Sequence, residues 1–114
     1  MSIIIKSGVI FKRLKPEIYG MFSLLDRLWG EYGVECVITA ANDGKHKVGS
    51  LHYQDDALDV RSKNLSNEQV KHDLHARLMY ELGEDYDVLF ELPGQPQEHF
   101  HIETSKIWEE RHSK

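Results

Sequence analysis

The chain has a single cysteine, Cys36. That excludes an intramolecular disulfide and sets aside metal centres built from several thiolates. Cys36 lies in the largely apolar stretch Val34–Ile38, where a buried, inert thiol is expected rather than a nucleophile. With only three prolines, no low-complexity tract and no internal repeat, nothing marks a linker or a disordered arm. No segment approaches the roughly 18 apolar residues of a membrane span. The apolar run in MSIIIKSGVIFKR is too short for a secretory leader and lacks a small-residue cleavage site, so synthesis as a soluble cytoplasmic product is expected. Clustered cations are also missing. Lys12, Arg13 and Lys15 form only a short run in a chain of net charge −5, which argues against a nucleic-acid partner.

What is present is a globular composition, 40% hydrophobic and 29% charged over 114 residues, fitting a single domain spanning 1–114 with one modest core. Residues 16–32 read as an amphipathic helix. Pro16 suits its first position, Ile18, Met21, Phe22, Leu25, Leu28 and Trp29 line one face, and Gly33 ends it. The run VECVITA, rich in β-branched residues, reads as a strand. Asn42–Gly49 reads as a polar loop, and Ala57–Val60 as a short strand. A second helix is expected after Ser66, with Gln69 completing a capping-box pattern, Val70, Leu74, Leu78 and Leu82 as its stripe and Gly83 as its stop. Strands Asp87–Leu92 and His99–Glu103 follow, joined by the turn Pro93-Gly94-Gln95-Pro96. This order predicts an α+β fold, a mostly antiparallel sheet with two main helices packed on it.

Histidine and carboxylate concentrate in three places. His72 and His75 lie one helical turn apart, but the helical metalloprotease motif needs a spacing of four with Glu after the first histidine. The pair is therefore read as solvated helix surface. His46 in the loop and His112 in the tail carry no signal. In a strand, His99, His101 and Glu103 share one face. Either that face looks into a cleft, where such groups need partners or a metal, or it is the solvent face of an edge strand with Phe100 and Ile102 in the core. His52 and Asp59, in SLHYQDDALDV, offer a nitrogen and an oxygen a short loop apart. With His101 they make three protein ligands and leave a position open, the pattern of a catalytic zinc site. Water bound there becomes a nucleophile near neutral pH, and a carboxylate is needed to take its proton.

The pattern Ser-x-His-x6-Asp, with acidic-x-x-His much further on, closely resembles the zinc D-Ala-D-Ala carboxypeptidases and L-alanyl-D-glutamate peptidases. That family includes phage endolysins and shares its fold with the hedgehog signalling domain. The matching positions are Ser50, His52, Ala57 and Asp59 in SLHYQDDALDV, and Glu98, His99 and His101 in EHFHIE. The resemblance covers about Val37 to Glu103. It implies a hedgehog/DD-peptidase-like fold with one Zn2+ on His52, Asp59 and His101. Glu98 would be the general base, His99 a hydrogen-bond partner of the reacting group, and Ser50 a support for the loop or a ligand. Three departures stand out. Asp55, next to Asp56, replaces a usual glycine. No arginine occurs over Thr39–Asp43, so carbonyl polarisation would fall to zinc, His99, Lys45 or Lys47. Glu98 and His101 have opposite strand parity, so Glu98 must sit in the turn ahead of the strand; Glu91 is the substitute base, and Glu103 a weaker one or a ligand-orienting group.

The function implied is a zinc metallopeptidase cutting a peptide bond in peptidoglycan stem peptides, encoded by a phage or prophage, with no obligate protein partner. It would reach the wall after release or delivery, or act on cytoplasmic muropeptides. The alternatives are a zinc-binding module without catalysis and a phage structural component.

Overall fold

The computed structural model describes residues 3–9, 16–41 and 57–112. The Asn42–Gly49 loop, Ser50, His52, Asp55 and Asp56 lie outside them. Five strands, β1 (Ile3–Ile5), β2 (Cys36–Ala40), β3 (Ala57–Arg61), β4 (Tyr86–Glu91) and β5 (His99–Thr104), form one sheet. Their order is β1-β2-β3-β5-β4.

The sheet is mixed rather than the expected, mostly antiparallel one. β2–β3, β3–β5 and β5–β4 are antiparallel, while β1 joins β2 in parallel with Ile3 opposite Cys36 and Ile5 opposite Ile38. Parallel neighbours need a crossover, and a helix supplies it here. The sequence reading assigned no strand to the Ile3–Ile5 run, because consecutive isoleucines carry no alternation to distinguish a face.

The helix expected over 16–32 is two pieces, α1 (Pro16–Tyr19) and α2 (Phe22–Glu31), with Gly20 and Met21 between them. Glycine weakens a helix interior, yet Ile18 and Met21 both stay buried across the break. Gly33 does end α2. At φ +76° it places its own amide on the Gly30 carbonyl and the Val34 amide on Trp29, which satisfies the last turn.

Helix α3 (Glu68–Leu82) begins one residue later than expected. Its cap is Asn67, whose side chain accepts from the Val70 amide at 2.9 Å, while Gln69 bonds Asp73 along the helix instead. A short 3-10 turn (Gly83–Asp85) leads into β4, and a further helix, α4 (Lys106–His112), occupies what the sequence reads as a polar tail. Ser105 starts it by accepting from the Trp108 amide.

Helices α2 and α3 cover the same side of the sheet. Leu25, Leu28 and Trp29 of α2 and Leu74 and Leu78 of α3 share one core with Ile38, Leu58, Val60, Val88, Phe100 and Ile102. Trp29 meets Phe100 edge-on at 5.7 Å between ring centroids. The ion pair Arg77–Glu31 joins the two helices across their exposed sides. These two helices leave the opposite sheet face to other parts of the chain. No helix among the described residues is long and apolar enough to cross a membrane.

Candidate functional site

Strand β5 is not an edge strand; it lies between β3 and β4. Phe100 and Ile102 point into the core and are fully buried. Alternation therefore sends His99, His101 and Glu103 to the face opposite α2 and α3. On β3, Leu58 and Val60 take the core side and Asp59 and Arg61 the other. Register then sets Asp59 opposite His101, Arg61 opposite His99 and Ala57 opposite Glu103. Glu91 of β4 is the register partner of His99 on the far side.

These side chains touch. His101 Nδ1 lies 2.8 Å from Asp59 Oδ1, and its Nε2 2.5 Å from Glu103 Oε1. Carboxylates only accept, so each ring nitrogen donates. Burial alone would lower the imidazole pKa, but the two carboxylates outweigh it and raise it to about 9. His99 is placed next to this pair, its Nε2 3.7 Å from Asp59 Oδ1 and 2.8 Å from Glu91 Oε1. Its Nδ1 faces the Gln97 carbonyl at 2.7 Å. A carbonyl cannot donate, so that nitrogen carries a hydrogen. Nε2, on the other side of the ring, meets the Glu91 carboxylate.

Glu98 is not among the residues brought together. It occupies the turn ahead of β5, as its parity required, but its side chain turns to the helix-covered side. One carboxylate oxygen accepts from Ser62 Oγ at 2.6 Å and pairs with Lys71 Nζ of α3 at 2.8 Å. The other accepts from the Gly94 amide at 2.7 Å, where φ +80° bends the turn inward. Burial would raise its pKa, yet the Gly94 amide, Lys71 and Ser62 together bring it down to about 2. The role this geometry gives Glu98 is to clasp the Pro93–Gln97 turn to α3. Glu91, the substitute base of the sequence reading, reaches the group through His99, and Glu103 reaches it through His101.

A donor pair of this kind can take a zinc ion. Neighbouring ligands of tetrahedral zinc stand about 3.3 Å apart, from bonds of about 2.0–2.1 Å. Asp59 and His101 are already close to that separation, with a proton between them where a cation would sit. Glu103 on the other ring nitrogen would fix the ring and raise its basicity, as carboxylates behind ligating histidines do. Among the described residues no three His, Cys, Asp or Glu side chains form a metal-holding group by themselves. The remaining expected ligand, His52, lies outside them, as does Ser50.

Of the helical histidines, His72 keeps to the exposed surface as expected, whereas His75 serves the fold. His75 is half-buried, bonds the Val88 carbonyl through Nε2 at 2.7 Å and stacks on Phe100. His72, which is exposed, meets Phe90 edge-on. Cys36 is fully buried, and burial with the nearby Asp26 pushes its thiol up to about 12. The sequence reading passed over Ser62, Lys71 and Arg61. Only Arg61 had a usable signal, its place two residues beyond Asp59 on the same face. No protein-family model, curated protein or solved structure matches the chain.

Proposed function

We propose that the chain is a zinc metallopeptidase of the D-Ala-D-Ala carboxypeptidase and L-alanyl-D-glutamate peptidase type, cutting a peptide bond in peptidoglycan stem peptides. The observation that carries this reading is the convergence of Asp59, His101, His99 and Glu91 on the sheet face opposite α2 and α3. Asp59 and His101 would hold the ion together with His52, the ligand set that the resemblance implies. When bound, the ion lowers the pKa of a coordinated water and polarises the scissile carbonyl.

The chain's own groups handle protons and position. Glu91 takes the proton from the attacking water and returns it to the leaving amine, the general-base role first assigned to Glu98. His99, tied to the Gln97 carbonyl and to Glu91, keeps that carboxylate oriented and presents a donor beside Asp59. Glu103 holds the His101 ring in place. The resemblance in SLHYQDDALDV and EHFHIE supports the same ligand set, and supplies the substrate class.

The test is digestion of purified peptidoglycan followed by identification of newly exposed termini. New D-Ala or L-Ala carboxyl ends are expected, and Glu91→Gln should slow their release by roughly 10²–10⁴-fold with the zinc retained. Bound zinc without any new termini would leave a zinc-bearing binding module in place of an enzyme.

A further inference from the structure

Leu92, immediately after Glu91, combines three features that are unfavourable to the fold. It is the sole non-glycine residue at positive φ among the described residues, at +53°, where the side chain of an L-residue crowds its own backbone. Pro93 follows it, and a residue before proline is pushed towards extended conformations of negative φ. Its side chain is apolar yet 43% exposed, so little burial offsets the strain. The turn does not call for this conformation. Gln95 donates to the Leu92 carbonyl at 3.0 Å, with Pro93 and Gly94 as the central residues and Gly94 at φ +80°. Those two residues satisfy a type II turn by themselves and leave Leu92, its first residue, free to stay extended.

Backbone strain of this kind persists where surrounding contacts over-determine it, and it gathers at working sites. The first condition is met by Glu98, which fixes the turn through the Gly94 amide at 2.7 Å and is itself anchored by Lys71 and Ser62. The second is met by position. Strand alternation gives Val88 and Phe90 to the core side and would send Leu92 after them. The left-handed φ takes Leu92 off that course, and it stands exposed one residue from the carboxylate assigned as the base. A second exposed leucine lies on the other side of Glu91 in the chain. Leu89 is 46% exposed, is the register partner of His101 and precedes Glu91 by two residues on the same face. Around it on β4 and β5 that face holds Asp87, Glu91, His99, His101 and Glu103, so Leu89 has no apolar neighbour there to pack against.

We infer that Leu92 and Leu89 are substrate-contact residues, an apolar rim bracketing Glu91 that packs on a hydrocarbon part of the bound peptide, with stability given up at Leu92 to place it. This rests on the peptidase reading and names the chemistry that the surface beside its base takes. Neither leucine moves a proton or holds the ion, so their contribution is to binding.

The experiment compares native protein with Leu92→Gly, Leu92→Gln, Leu92→Met and Leu89→Gln on soluble stem peptides from purified peptidoglycan. Glycine adopts φ +53° freely, so Leu92→Gly should hold or raise the thermal midpoint. Its KM should rise about 5–10-fold, the factor expected from half-burying one leucine, with kcat within about two-fold. Leu92→Gln and Leu89→Gln should raise KM to a similar degree, and Leu92→Met should restore most of the native value. A thermal midpoint several degrees lower in Leu92→Gly would make the side chain part of the fold and overturn the inference. An unchanged KM, or a loss confined to kcat, would overturn it as well. If native protein cleaves no peptide, the peptidase reading fails by itself. Calorimetric binding of the same peptides then decides the rim: weaker binding by Leu92→Gly, recovered in Leu92→Met, upholds it, and equal binding or none overturns it.

Discussion

Glu91 and Glu98 flank one turn, and their surroundings give them different work. Glu98 is 4% exposed and held by a hydroxyl, an amide and an ammonium. Glu98→Gln leaves Lys71, itself mostly buried, without its closest counter-charge. It should destabilise the fold by on the order of 2–3 kcal/mol, read as a lower urea midpoint. The folded carboxyl lies at about 2 against an ordinary 4.5. Its stabilisation is therefore complete above about pH 4.5 and is lost as pH falls towards 2. Native protein should lose stability steeply across that window and Glu98→Gln less so; parallel pH profiles would remove Glu98 from the clasp. Sequence parity already showed that Glu98 and His101 could not share a regular strand face. It did not show where Glu98 points, because Ser62 and Lys71 come close only through the packing of α3 on the sheet.

Among elements, α2 and α3 were legible from periodic apolar faces ended by glycines, β2 from its β-branched run, and β3, β4 and β5 as short stretches between turns and loops. α3 also shows the limit of that signal. Ser66 and Gln69 fit a capping box, yet Asn67 takes the cap, since adjacent candidates differ only in backbone conformation. Asn67→Ala should cost about 1 kcal/mol and Ser66→Ala much less, measured as shifts in thermal midpoint. Equal effects at both positions would return the cap to Ser66. β1 and α4 were missed for a different reason. Three isoleucines and a short charged run have no period of their own, and each becomes an element through a partner: β2 for β1, and the Ser105 hydroxyl with the packing of Trp108 for α4.

At the scale of the molecule, both main helices lie on one side of a mixed sheet. The apolar halves of β3 and β5 are thereby consumed by the core, leaving their polar halves on the face opposite these helices. His99, His101 and Glu103 were legible as a set through strand alternation, and Asp59 joined them only through the zinc-ligand pattern and the resemblance in SLHYQDDALDV. The choice between a cleft and a solvent-facing edge depended on strand order, which pairs β5 on both sides. On the proposed function, the face that carries Asp59 and His101 is what a peptide substrate would meet, and the metal is what would make it reactive. Zinc content tests that account most directly. Protein prepared without chelator should carry about one zinc per chain, and Asp59→Ala and His101→Ala should each lose it while remaining folded by circular dichroism. A chain that holds no zinc and takes up none when it is added, or a His101→Ala variant that still binds it tightly, would contradict the account.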